Sequence, residues 1–112
     1  MTTRQEKVSS LIQQEVSKYL AENRPEGLRG GFLTITAVDV SGDLGLAKIF
    51  FSCLGQNREE VLAILNECLY EIQGMLYRRL KMRKVPRIVF LYDASGEHAG
   101  RINQVLRDLH HD

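Results

Sequence analysis

The chain has 112 residues, 44% hydrophobic and 26% charged, with a net charge of only +1. That is near the average for one globular domain, and long enough to bury roughly 65% of its unfolded surface in a single core without staples. No apolar run approaches a membrane span and no signal-peptide pattern opens the chain, so a soluble cytoplasmic protein with no membrane partner is expected.

Thr3 followed by Glu6 makes a capping box that opens a first helix. Its Val8, Leu11, Ile12, Val16, Tyr19 and Leu20 recur at helical spacing, and Asn23-Arg24-Pro25-Glu26-Gly27 ends it. Leu28-Arg29-Gly30-Gly31 reads as a loop. Phe32 to Ser41 is a β-branched run with Leu33, Ile35 and Ala37 on one side and Thr34 and Thr36 on the other. Leu46 to Leu54 alternates Ala47, Ile49, Phe51 and Cys53 against Lys48, Phe50 and Ser52. The intervening Gly42-Asp43-Leu44-Gly45 is turn chemistry, so the two strands form an antiparallel hairpin. The glycine spacing there matches no nucleotide-binding loop.

Asn57 and Glu60 mark the next helix start. From there Leu62, Leu65, Leu69, Ile72, Leu76 and Leu80 form one apolar face, with Val61, Cys68, Met75 and Met82 beside it. Pro86 ends the helix, and a strand follows over Arg87 to Tyr92. A straight helix over 58–83 would span roughly 39 Å, whereas a domain of this size has a radius of gyration of about 13 Å. A bend is therefore expected between Cys68 and Gly74, with Gly74 as the weak point on propensity. Asp93-Ala94-Ser95 can cap a C-terminal helix carrying Ile102, Val105, Leu106 and Leu109. Gly96 and Gly100 weaken its first turn, so a partly mobile tail over 96–112 is expected. The order helix–strand–strand–helix–helix–strand defines an α+β layout, a three-stranded sheet with helices on one face, within a single domain over 1–112.

Charge is distributed unevenly. Arg78, Arg79, Lys81, Arg83, Lys84 and Arg87 place six positive charges in ten residues without one acid. The rest of the chain holds nine basic against fourteen acidic residues, a net of −5. Such polarity suggests a polyanionic partner; the competing explanation is that a helix C-terminus favours cations. Because Leu76, Leu80 and Met82 must face the core, the cations should wrap around the helix end as a patch.

Nothing in the sequence builds a catalytic or metal centre, and no cofactor or small-molecule substrate is expected. Asp93, Ser95 and His98 are explained by helix capping, and His110-His111-Asp112 offers too few ligands to hold a metal. Cys53 and Cys68 sit among apolar neighbours and read as small buried hydrophobes in a reducing compartment. Aromatic residues are too few for base stacking on the sheet. Two function classes stay open: an RNA-binding factor, and an α+β interaction or regulatory domain that dimerises through its sheet edge.

Over nearly its whole length the chain resembles bacterial ribosome-binding factor A. The likeness rests on Arg4-x-x-x-Val8, Thr36-x-Val38-x-Val40-Ser41-x-Asp43-Leu44 and Ala47-Lys48-Ile49-Phe50-x-Ser52. It continues through Arg83-x-Val85-Pro86-x-Ile88-x-Phe90-x-x-Asp93-x-Ser95 and Arg101-Ile102. The resemblance implies a type II KH-like fold, in the order α-β-β-α-kink-α-β with a C-terminal helix. It also implies a monomeric, non-catalytic assembly factor that binds the small ribosomal subunit and its rRNA and assists 5′-end maturation, notably in the cold. RNA contact would fall on Arg78, Arg79, Lys81, Arg83, Lys84 and Arg87. The family carries an Ala-x-Gly kink between the two central helices; counting back from Val85-Pro86, those positions here hold Cys68-Leu69-Tyr70, without the glycine. Either the kink has moved toward Gly74, or it forms without glycine.

Overall fold

The computed structural model describes residues 3–28 and 31–95. Helix α1 (Arg4–Glu22) and a short 3-10 turn (Glu26–Leu28) precede strands β1 (Phe32–Val40) and β2 (Leu46–Leu54). Helices α2 (Arg58–Glu67) and α3 (Leu69–Arg79) then lead into β3 (Arg87–Tyr92). The expected C-terminal helix, with Ile102, Val105, Leu106 and Leu109, and the three histidines lie outside the described residues. The expected capping residues are within them: Asp93 Oδ1 accepts a hydrogen bond from the Ser95 amide at 2.9 Å.

Helices α1 and α2 start with the caps their sequences call for. Thr3 Oγ1 accepts from the Glu6 amide at 3.1 Å, and Asn57 Oδ1 accepts from Glu59 and Glu60 at 2.8 and 3.3 Å, satisfying amides that the helix itself leaves open. The stripe of α1 is narrower than its apolar spacing suggests: Val8, Ile12, Val16 and Leu20 are buried, while Leu11 is exposed and Tyr19 only half-covered.

The sheet is mixed, in the order β1-β2-β3, with β1 antiparallel and β3 parallel to β2. Ala47, Ile49 and Phe51 on β2 and Ile88 and Phe90 on β3 are buried in one core with the helices. On β1 the expected alternation fails halfway. Ile35 lies opposite Phe51 but Ala37 lies opposite Phe50, so Thr36 is an extra residue and the register slips. Leu33 and Ile35 face the core before this bulge, Val38 and Val40 after it, and Ala37 is exposed rather than inward. One inserted residue moves every later side chain to the opposite face. The Thr36 hydroxyl is used rather than wasted: it donates to Asp93 Oδ2 at 2.5 Å, while the Asp93 amide donates to the Phe51 carbonyl at 2.7 Å. The bulge thus ties β1 to the end of β3.

The hairpin turn is held by Ser41 and Asp43. Ser41 Oγ accepts from the Leu46 amide at 3.0 Å and Asp43 Oδ1 from the Gly45 amide at 2.9 Å. The left-handed position of this turn belongs to Leu44, at φ 58°, and not to either glycine. Its side chain packs on the core edge, which offsets the roughly 1–2 kcal/mol that such a conformation costs.

The bend falls at Cys68, a single residue with φ −89° and ψ −3° between α2 and α3. Its amide is shared between the Ile64 and Leu65 carbonyls, at 3.2 and 3.1 Å, the tightened geometry that ends a helix with a 3-10 turn. No positive φ is involved, so no glycine is required. Gly74 lies within α3. The second helix also ends earlier than expected. Leu80 is extended (φ −87°, ψ 118°), seven residues ahead of β3, so Pro86 does not terminate α3. Leu80, Val85 and Pro86 are buried from an irregular linker, which is why apolar spacing alone mistakes the linker for helix.

Two expectations follow. A methyl group added at Gly74 would meet nothing nearer than Arg78 Nη1 at 3.4 Å, so Gly74→Ala should stabilise the fold by about 0.5–1 kcal/mol. Thermal melting should show a rise of a few degrees, and destabilisation would mean that Gly74 is not helical. Hydrogen bonds from Ser95, and then from Thr36, hold the Asp93 carboxyl below its ordinary titration range. A depressed carboxyl stabilises the fold above the unfolded value near pH 4, and that contribution is lost as pH falls through the folded value. Thr36→Val should move the Asp93 titration upward, followed by carboxyl NMR, while Ser95 keeps it below normal.

Candidate nucleic-acid interface

The six cations fall on three structural elements. Arg78 and Arg79 occupy the last turn of α3; Lys81, Arg83 and Lys84 lie in the linker over 80–86; and Arg87 is the first residue of β3. All six are exposed. The linker alternates anchors with cations: Leu80, Val85 and Pro86 are buried, Met82 is half-buried, and Lys81, Arg83 and Lys84 project between them. Its ends are held by the chain itself, with the Leu80 amide on the Leu76 carbonyl at 2.9 Å and the Arg87 amide on the Gly45 carbonyl at 3.0 Å.

Gln73 completes this support. From α3 its Nε2 donates to the Pro86 carbonyl at 3.0 Å, and its Oε1 accepts from the Ile88 amide at 3.0 Å. One side-chain amide therefore grips the backbone on both sides of Arg87 and sets the strand start against the helix. Sequence reasoning did not single out Gln73. The available signal was a glutamine between the core residues Ile72 and Met75, a position where a half-buried amide needs partners.

The cations do not form one uniform patch. Arg78 and Arg79 share a shallow groove with Glu15 and Glu22 of α1. Lys84 lies close enough to the hairpin turn to help lower the Asp43 carboxyl, after the hydrogen bonds from Ser41 and the Gly45 amide. The alternation of β3 puts Arg87 opposite the core residues Ile88 and Phe90, on the side of the sheet away from the helices. The kink residues sit at the other end of α3: Cys68 and Leu69 are half-buried, whereas Tyr70 is 90% exposed. Burial, with Glu71 and Glu67 nearby, pushes the Cys68 thiol up, which suits an inert core thiol. Among the described residues no cluster of His, Cys, Asp or Glu could hold a metal, and no helix is long and apolar enough to cross a membrane.

An α-β-β-α-α-β order with a mixed three-stranded sheet, one helix layer and a one-residue break between the central helices defines a type II KH-like domain. The fold recurs in a crystal structure of ribosome-binding factor A from Thermus thermophilus, with a TM-score of 0.70 over 80% of this chain and 97% of that one at 21% identity. It recurs too in a solution structure of a putative ribosome binding factor A from Thermotoga maritima, at TM-score 0.72, 27% identity, 81% of this chain and 88% of that one. The family profile described as ribosome-binding factor A matches residues 4–106. A ribosome-binding factor A from Desulforamulus reducens is 38% identical over 97% of this chain and 92% of its own length; one from Legionella pneumophila is 31% identical over 95% and 86%. The chain belongs to the ribosome-binding factor A family.

Proposed function

We propose that this protein is a non-catalytic, cytoplasmic assembly factor that binds the small ribosomal subunit and its rRNA as a monomer. On this reading it assists maturation of the rRNA 5′ end, with greatest effect in the cold, where misfolded RNA is trapped most deeply. Family membership supports ribosome binding, and a Thermus thermophilus ribosome binding factor A has been fitted into a map of a 30S complex. One observation carries the RNA part. Helix α3 ends at Arg79, so only Arg78 and Arg79 can serve its dipole. That effect fades within the last turn and does not account for the exposed run Lys81, Arg83, Lys84 and Arg87, although Lys84 also faces the Asp43 carboxyl. Phosphate binding accounts for the run.

Tagged protein sedimented with cell extract should migrate with free small subunits and not with translating ribosomes. Absence from every ribosomal fraction would sink the proposal, and normal rRNA ends in a deletion strain grown cold would remove the maturation role. The contact surface is tested separately. Each phosphate contact contributes about −0.7 to −0.9 to the slope of log affinity against log salt. Arg79→Glu with Arg83→Glu should flatten that slope by roughly 1.5 to 2 and weaken binding to all RNA sequences alike. Stability should fall by no more than about 1 kcal/mol, because both residues are exposed and only Arg79 lies in the last turn of α3.

A second reading, a homodimer through the sheet, is favoured by Phe32 and Leu54. They pair across β1 and β2 and are 75% and 72% exposed. Apolar association of that kind would hold or tighten with added salt, whereas phosphate contacts weaken.

A further inference from the structure

Helix α3 carries a second feature that its cations do not explain. Tyr70 and Tyr77 stand 90% and 59% exposed, although neither packs on the core and a solvent-facing helix surface has no use for two aromatic rings. Seven residues separate them, so they lie on one face, about 10.5 Å apart along the axis. Gly74 falls between them on that same face. The three residues line a groove of about 440 Å³, closed by Tyr19, Glu71, Gln73 and Arg78. Gly74 leaves the floor bare, and the Arg78 guanidinium lies back toward it, since an added Cβ would come within 3.4 Å of Nη1.

We propose that this groove binds unpaired RNA bases by stacking between Tyr70 and Tyr77, an inference that rests on the RNA-binding reading above. The helical rise between the two positions is about three stacking steps of 3.4 Å, room enough for bases to enter between the side chains. Arg78 closes the groove and also begins the basic run. A strand with bases in the groove therefore has a phosphate partner in Arg78, beyond which the basic run continues along the chain. That charge complementarity selects a nucleic acid over an apolar peptide. Double-stranded RNA is excluded because its bases are already stacked and paired. Glu71 supplies an edge contact: Tyr19 Oη donates to its Oε2 at 3.0 Å, holding the carboxylate at the rim. As a pure acceptor it suits the exocyclic amine of cytosine. Gln73 is already engaged by the Pro86 carbonyl and the Ile88 amide, so it reads nothing.

The test is binding of the full chain to short oligocytidylate, to an abasic strand of equal length and to an RNA duplex. Tyr70→Ala with Tyr77→Ala should weaken oligocytidylate binding by about 5- to 150-fold for each stacked base. The salt slope should stay unchanged, and so should affinity for the duplex and the abasic strand. Tyr70→Phe with Tyr77→Phe should bind as wild type, because the rings remain. The chain has no tryptophan, so its intrinsic fluorescence is that of tyrosine; oligocytidylate should quench it and the abasic strand should not. Gly74→Leu fills the groove without changing charge or opposing the helix, and gives a second variant expected to weaken single-strand binding. Unchanged oligocytidylate affinity in the alanine variant would overturn the stacking site and leave the cationic surface standing. An equal loss on the abasic strand would overturn it too. Loss of small-subunit co-sedimentation with RNA affinity intact would assign the face to a protein partner and overturn the inference. Wild-type protein that binds small subunits but no free RNA of any kind would remove the RNA reading and this inference together.

Discussion

The parallel pairing of β3 with β2 is the constraint on which the rest of the fold depends. An antiparallel neighbour can follow from a short turn, but a parallel one requires the chain to return the full length of the sheet first. Helices α2 and α3 make that return, and its end is fixed where Gln73 grips the Pro86 carbonyl and the Ile88 amide. Without the grip, the start of β3 would rest on only the first ladder bonds at an edge of the sheet. With it, the basic linker is bounded by a buried Leu80 on one side and a clamped strand on the other. The cations are therefore presented by a segment ordered for reasons of packing.

The break at Cys68 follows from the same return path. Ten residues of α2 and eleven of α3 are each about 15–17 Å long, and one rigid rod of both would leave its apolar face hanging beyond the sheet. Dividing it lets Val61 and Leu65 bury on one side of the break and Ile72, Met75 and Leu76 on the other. A shared amide at Cys68 suffices for this, which is why helix propensity points to the wrong residue. Gly74 is the poorest helix former in the stretch, yet a bend needs a place where one hydrogen bond can be tightened, not a place where the helix is weak.

Much of the architecture was legible in the residues, and the failures share a cause. Strand β2 reads correctly because its alternation is local and nothing interrupts it. Strand β1 misleads after Thr36, since the bulge is stabilised by Asp93, 57 positions away, and no window along the chain contains that partner. The end of α3 misleads for a related reason. Leu80 and Met82 continue a helical spacing, but Leu80 is buried from an extended backbone, and burial is all that apolar spacing reports. The six cations were visible as a run; that they divide among a helix end, a linker and a strand depends on where the helix stops. The aromatic groove was hidden because Tyr70 and Tyr77 look like two more residues of an apolar helix until their exposure is known.

Anchoring also decides what the linker can contribute to binding. Each long side chain that becomes fixed in an interface costs about 0.5–1.5 kcal/mol, and ordering a loose backbone adds to that. Lys81, Arg83 and Lys84 alternate with side chains already committed to the core, so the backbone share of the cost is met in folding. What remains is rotamer freedom in the cations, which counterion release offsets at low salt. The tyrosine face differs in kind: a ring has two side-chain torsions to lose, and stacking by itself releases no counterions. On the proposed reading, the eleven-residue α3 combines a salt-dependent contact with phosphates at its C-terminal end and a stacking contact with bases along the face that joins Tyr70 to Tyr77. A phosphate surface alone would hold any RNA duplex equally well. On the same proposed reading, a groove that only unpaired bases can enter gives the helix a means to prefer single-stranded segments.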